Sequence, residues 1–263
     1  MFKKTISSEK NLFKELSNGI QFEDITDGRK GTVLVRPTNG LIPLVRTTTS
    51  YQQPAQQFKQ AHYEVMNKIK EQSGVELDFN NALFEKYDSS YRKMGYHTDQ
   101  SQDLNPDSYI CLFSTYKNPT VDNDIRKLRV MEKDTKDSFI INLDNNSAII
   151  FSVDTNHRHR HKIILDTNGS TNEWLGMTLR VSKTFIKFNG NIPYINGNPE
   201  RVLYMANDDE SIEIRKCKKS ENNEVGFQYP DVNYTISPSD LLLVRGLEKE
   251  DNPIGIFVPL SVI

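Results

Sequence analysis

Three short stretches of this sequence carry side chains able to do chemistry together. The first is His97-Thr98-Asp99. Residues i and i+2 of an extended segment project to the same side, so this imidazole and carboxylate can converge on one metal ion. Neutral imidazole with carboxylate is the ligand mix of non-heme iron, where two histidines and one carboxylate leave open positions for other ligands. The second stretch is His157-Arg158-His159-Arg160-His161. Read as an extended chain, it puts its three histidines on one face and its arginines on the other. It can supply the missing imidazole, hold zinc by itself, or be a solvated basic strand end. The third is Arg180-Val181-Ser182-Lys183-Thr184. An arginine can bind a carboxylate through two parallel hydrogen bonds that lysine cannot reproduce. Ser182 and Thr184 share its face by the same alternation. Singly, each stretch has an ordinary reading as a surface turn or strand; their order makes them a candidate site.

The elements that must position these residues are mostly short strands. Two helices stand near the front of the chain. One reads from Ser8 to Leu16 and closes at Asn18-Gly19. The other runs from about Pro54 to Gln72, with Phe58, Ala61, Val65 and Ile69 on one face and Gly74 as its stop. His62 in the second helix needs no function. Between the two helices, Gly31 to Ser50 reads as extended and turn-punctuated. Further strands are expected at Phe79–Tyr87, Tyr109–Ser114, Lys127–Met131, Ser138–Leu143, Ala148–Val153, Lys162–Leu165, Met177–Phe188, Ser211–Cys217, Leu241–Arg245 and near Ile256–Val258. Asp144-Asn145-Asn146 is a hairpin signal between two of them. Many short strands with few helices point to a mainly β fold, an antiparallel barrel or jelly roll, behind N-terminal helices.

Composition narrows the class. The chain has 263 residues, with Lys+Arg 33 against Asp+Glu 35, so 33 − 35 gives a formal charge of −2. That balance argues against a protein built mainly to coat nucleic acid or an anionic membrane. A mean hydropathy of −0.61 fits a soluble chain, while 13 Phe and 11 Tyr can furnish a core. Cys111 and Cys217 are too few for a disulfide scaffold. No apolar run follows the basic N-terminus and none is long enough to span a bilayer, so an intracellular protein, cytoplasmic or nuclear, is expected. A single domain is expected, with its core at about 75–190, a helical and extended front over 1–74, and a divergent extension over 191–263.

The sequence resembles the Fe(II)/2-oxoglutarate-dependent dioxygenases, and within them looks like the AlkB-type branch. The residues that carry the likeness are Phe79-Asn80-Asn81-Ala82-Leu83-Phe84-Glu85-Lys86-Tyr87, Gly95-Tyr96-His97-Thr98-Asp99, Ala148-Ile149-Ile150-Phe151, Arg160-His161-Lys162-Ile163 and Arg180-Val181-Ser182-Lys183-Thr184-Phe185. The resemblance implies a double-stranded β-helix with Fe(II) held by His97, Asp99 and His161. It implies that Arg180 holds the distal carboxylate of 2-oxoglutarate and that Tyr87 helps to hold this co-substrate. Ser182 stands where that branch commonly has asparagine. The implied activity consumes O2 and 2-oxoglutarate to hydroxylate a C–H bond, which on an N-methyl group amounts to demethylation.

Two positions depart from the branch. Ile186 stands where it has a second arginine, and Glu85 stands where it has asparagine. A glutamate turned toward the co-substrate would repel its carboxylates. Both changes weaken the inference of a nucleic-acid substrate, so protein and small-molecule substrates stand beside it. A pI near 6.2 is low for a dedicated nucleic-acid-binding domain, although Arg158, Arg160, Lys162, Arg215, Lys216, Lys218 and Lys219 offer local positive charge and Tyr51 and Tyr63 offer rings for stacking. The alternative of a different class is a non-catalytic β-barrel binding module whose histidines are incidental or hold zinc.

Overall fold

In a computed structural model of the chain, residues 1–118, 125–167, 170–197 and 200–247 are described. The expected strand near Ile256–Val258 lies outside them. The front of the chain forms β1 (Phe2–Thr5), α1 (Leu12–Ser17), β2 (Glu23–Thr26), β3 (Arg29–Val35), β4 (Ile42–Leu44), β5 (Gln56–Gln57) and α2 (Gln60–Ser73). The middle forms β6 (Asn81–Tyr87), β7 (Tyr109–Tyr116), β8 (Lys127–Glu132), β9 (Ser138–Asn142), β10 (Ser147–Ser152), α3 (Val153–Arg158), β11 (His159–Ile164), β12 (Trp174–Arg180) and β13 (Thr184–Asn189). The rest forms β14 (Ile192–Ile195), β15 (Arg201–Val202), β16 (Tyr204–Met205), α4 (Asp208–Asn223) and β17 (Tyr234–Thr235). The protein is mainly β, with antiparallel sheets and few helices.

The large sheet runs in the order β1-β10-β7-β12-β6-β3-β2, with β5 added alongside β3. It is covered on both faces, which is why its central strands read as near-continuous apolar runs. Alternation sorts them. Ala82, Phe84, Cys111, Phe113, Ala148, Ile150, Leu175, Met177 and Leu179 point to one side and pack against α1 and α2 through Leu12, Phe13, Leu16, Val65 and Ile69. The interleaved Tyr87, Ile110, Leu112, Ile149, Phe151 and Trp174 point to the other side and meet Leu128, Val130 and Ile163 of the smaller sheet β11-β8-β9. Gly176 matters here, because the Trp174 ring lies across it; a Cβ at that position would sit 1.9 Å from the ring.

Several expectations need correction. The first helix starts at Leu12 rather than near Ser8, because the Asn11 side chain caps it by accepting from the Lys14 N–H. The second starts at Gln60 rather than Pro54, since Gln56 and Gln57 are drawn into the large sheet beside Leu34 and Val35; it stops, as expected, at a left-handed Gly74. The front of the chain is not only a helical cover: β1 pairs with β10, and β3 with β6. Met177–Phe188 is not one strand but two, broken at residues 181–183, with β12 in the large sheet and β13 paired to β14 and β4. Asp144–Asn146 does not join a hairpin, because β9 pairs with β8 while β10 pairs with β7 and β1; the left-handed Asn146 turns the chain between sheets. Ser211–Cys217 is helical. The alternation of Ile212 and Ile214 mimics a strand, but an Asn207–Glu210 capping box starts α4 and only Ile214 of the two is buried. Leu241–Arg245 makes only one bridge, Arg245 with Gln56, after a 3-10 turn at Pro238–Leu241.

Candidate active site

The cavity between the large and small sheets has a volume of about 550 Å³. Its walls bring together residues that lie far apart in sequence. From β6 come Leu83, Glu85 and Tyr87, from β12 Trp174, Thr178 and Arg180, from β3 Arg29, from β11 His161, and from the loop after β6 the stretch Tyr96–Gln100.

His97, Asp99 and His161 are the only group of three or more potential metal-binding side chains whose ligand atoms converge among the described residues, all within 4.8 Å of one another. Asp99 Oδ1 lies 3.7 Å from Nε2 of both His97 and His161. The pairing is set by the backbone. The His97 N–H donates to the His161 carbonyl at 3.0 Å, and the His161 N–H donates back at 2.7 Å. His97 Nδ1 is 3.2 Å from the Gly95 carbonyl, so donation there leaves the Nε2 lone pair free to face Asp99. Burial, then the neighbouring His161, pushes the His97 pKa down to about 3, so the ring is a neutral ligand at ordinary pH. Burial works against the charge of Asp99, but the neighbouring His161 and Arg180 hold this carboxyl well below the usual range. Asp99 Oδ2 is buried with no hydrogen-bond partner among the described residues. A buried carboxylate with one oxygen left without a donor and the other facing two imidazoles fits a divalent cation.

The other histidines are elsewhere. His157 belongs to α3 rather than to a strand, so the three histidines of 157–161 do not share one face. Its side chain borders a separate cavity beside Arg46 and Lys183. His159 is tied by Nδ1 to the Thr155 carbonyl at 2.8 Å. His62 is fully buried in the core and accepts the Lys59 N–H.

Arg180 is 1% exposed, and its Nε and Nη2 have no hydrogen-bond partner among the described residues. Burial depresses its pKa, opposed by Asp99, Tyr51 and Glu85. A buried, unpaired guanidinium in a cavity is a site for an anion. Ser182 and Thr184, expected beside it, do not line this cavity. Strand β12 ends at Arg180, so the alternation stops there. Ser182 Oγ instead bonds the carbonyls of Leu44, Thr184 and Asp103, and Thr184 borders the cavity that holds His157. The hydroxyl that does share the face of Arg180 is Thr178.

Glu85 points into the cavity. Its charge is met by Arg29, whose Nε and Nη2 donate to Oε1 at 2.9 and 2.5 Å. Tyr51 adds a bond to Oε1 at 3.3 Å and Tyr87 one to Oε2 at 2.7 Å. Burial lowers the Arg29 pKa, but Glu85, Tyr87 and Tyr51 together more than offset it and the guanidinium is held above its ordinary value. Ile186, at the place of the missing arginine, is buried in a third apolar cluster with Ile42 and Ile195. The sequence offers no sign of Arg29 and leaves Tyr51 open as a stacking ring or a core aromatic; it is buried. No motif marks either residue: strand pairing brings Arg29 on β3 beside β6, and Tyr51 comes from the chain between β4 and β5.

No protein-family model and no curated protein sequence matches the chain. Many solved structures are similar to it, two of which serve as examples. The structure of OsALKBH1 matches with a TM-score of 0.43 and 13% identity, over 67% of this chain and 93% of that one. A Pseudomonas putida prolyl-4-hydroxylase matches with a TM-score of 0.41 and 12% identity, over 68% of this chain and 91% of that one. At such scores the likeness carries no argument, and the functional reading rests on the site. No helix among the described residues is long and apolar enough to cross a membrane.

Proposed function

We propose that this chain is an Fe(II)- and 2-oxoglutarate-dependent oxygenase built on a double-stranded β-helix. The observation that carries the reading is one cavity holding both a convergent His97–Asp99–His161 group and an unpaired, buried Arg180 guanidinium. The first set of donors suits Fe(II), the second the distal carboxylate of 2-oxoglutarate. Iron bound there with 2-oxoglutarate and O2 supplies oxidation of a substrate C–H bond, with succinate and carbon dioxide as co-products.

The chain's own residues do the positioning. The exchanged backbone bonds of His97 and His161 fix the spacing of the two rings. Arg180 orients the co-substrate, with Thr178 beside it on the same strand face. Tyr87 holds Glu85, and Arg29 cancels the negative charge that would otherwise repel a dicarboxylate. Trp174, Leu112, Leu128 and Phe151 give the cavity an apolar wall that limits water.

At the rim, Lys93 and Tyr96 border the cavity, and Lys162 Nζ stands 4.4 Å from the centre of the Tyr96 ring. Positive charge beside an aromatic face suits an anionic substrate bearing a ring, so methylated nucleic acid is the first class to test, with protein and small-molecule substrates beside it. The experiment is succinate release by protein loaded with Fe(II) anaerobically, then given oxygen and methylated DNA, methylated RNA or peptide pools. Iron-dependent release is expected, increased by one substrate class. No release with any pool, together with no 2-oxoglutarate binding to Mn(II)-loaded protein, overturns the reading.

A further inference from the structure

We infer that α4 is a positioning element for the metal-binding loop, with Lys218, Glu221 and Asn222 holding the backbone of residues 98–101 so that His97 and Asp99 meet His161. This rests on reading the site as a metal centre, and it gives a role to the part of the chain that lies outside the family resemblance. The need for such a device is visible in the loop. His97 makes one isolated bridge to His161, and no strand ladder continues through Thr98, Asp99 and Gln100. Their backbone groups must find partners elsewhere.

Those of Thr98 sit on α4. Asn222 Oδ1 accepts the Thr98 N–H at 2.9 Å, and the Lys218 ammonium donates to the Thr98 carbonyl. The residue between the two proposed ligands is therefore held from both sides of its backbone. One turn of chain further on, Glu221 Oε1 accepts the Ser101 N–H at 2.8 Å and its hydroxyl at 2.6 Å. On the opposite side, α3 adds Asn156, which accepts the Asp99 N–H at 2.9 Å and donates to the Asp99 carbonyl at 2.8 Å.

The way α4 docks separates positioning from packing. An ordinary surface helix seats an apolar stripe, but α4 buries only Ile214 and Glu221. Glu221 is 1% exposed. Burying a carboxylate costs heavily unless it is fully hydrogen-bonded, and besides Ser101 it receives the Lys218 ammonium at 2.6 Å and the Tyr229 hydroxyl at 2.8 Å. Lys133 fixes the end of the helix by donating to the carbonyls of Glu221 and Glu224 at 2.5 and 3.0 Å. The buried residue nearest the site is thus an ion whose bonds run to the loop. Lys218 and Asn222 also border the cavity, so the helix forms part of its wall.

The test measures Mn(II) affinity of the full chain by calorimetry, and the visible spectrum of the Co(II)-loaded protein, beside melting temperature. Asn222→Leu and Lys218→Met should bind Mn(II) about ten- to a hundredfold more weakly, the range found for residues that orient metal ligands, with a changed Co(II) spectrum. Asn222→Asp keeps the acceptor for Thr98 and should retain affinity within a few-fold. Lys219→Ala, on the exposed face, should match wild type. Asp99→Ala, expected to lose the metal, is the reference. Wild-type Mn(II) affinity and an unchanged Co(II) spectrum in Lys218→Met overturn the inference, even if Asn222→Leu fails to fold. In that outcome loss of metal by Asp99→Ala leaves the metal reading standing. A wild-type protein that binds no Mn(II) overturns both.

Discussion

The two halves of the cavity are built by different means. Arg180, Thr178, Glu85, Tyr87 and Arg29 stand on neighbouring strands of the large sheet, where Trp174 pairs with Tyr87, Arg29 with Tyr87, and Gly176 with Glu85. Their directions follow from pleat and register, and the apolar layer behind them fixes both. His97 and Asp99 stand on a loop whose conformation depends on side chains from α3 and α4, reaching back from residues 156 to 222. The half proposed to hold an anion is a property of the sheet. The half proposed to hold a metal is assembled across sequence distances of more than a hundred residues. A difference of this kind teaches where the site is tolerant: changes on the sheet side should alter one ligand at a time, whereas changes around the loop should alter the whole centre.

The largest expected effect tests the loop half. Asp99→Ala and His161→Ala should abolish metal-dependent turnover and metal binding with the fold intact, while His157→Ala and His159→Ala retain most metal, as judged by metal analysis after anaerobic loading. Loss in His159→Ala with retention in His161→Ala would move the centre two residues along β11. On the sheet side, Arg180→Met should weaken 2-oxoglutarate binding to the Mn(II)-loaded protein about a hundred- to a thousandfold, equivalent to roughly 3–5 kcal/mol. Arg180→Lys should be impaired less, and metal binding should survive in both, read by calorimetric titration.

Acid should loosen the sheet side through its outer layer. Burial pushes the pKa of His62, packed edge-on against Phe84, down to about 4 from its ordinary 6.5. The unfolded chain takes up a proton near pH 6.5 and the folded chain only near pH 4, so this contribution is full above the first value and is lost as pH falls between them. The loss amounts to about 3 kcal/mol. Urea unfolding at pH 7 and pH 4.5 should show it in the wild type, and His62→Leu should lack that component of the pH slope. The smallest effect is expected at Ser182. Because its hydroxyl is engaged with the Leu44 and Thr184 carbonyls, Ser182→Ala should lower stability by about 1 kcal/mol and leave 2-oxoglutarate affinity within twofold. A large loss of affinity there would restore the period-two reading of Arg180 and Ser182.

Much of the strand inventory was legible because the signal was local. The apolar runs of β6, β7, β8, β9 and β10 appear within a residue or two of their expected bounds. The reading failed where a local pattern had a competing cause. Ile212 and Ile214 alternate like a strand, yet capping and helix-forming charged residues win. Arg180 and Ser182 share a period of two, yet the strand ends between them. His157 and His161 share one too, yet α3 claims the first.

By itself, then, the sequence determined which residue types were present to bind a cation and a carboxylate, and which segments prefer to be extended. Backbone alternation, side-chain chemistry and the ordered motifs of the resemblance act over a few residues and need no partner. Three-dimensional packing decided the rest. It chose His161 over His157 and His159 to face Asp99 through a bridge to a loop sixty-odd residues earlier. It answered the unexpected charge of Glu85 with Arg29, a residue no motif marks. It also brought α4 back to hold Thr98 and Ser101. These choices depend on the free energy of burying charges and backbone polar groups, and the partners that meet that cost come from whichever strand or helix the fold sets alongside.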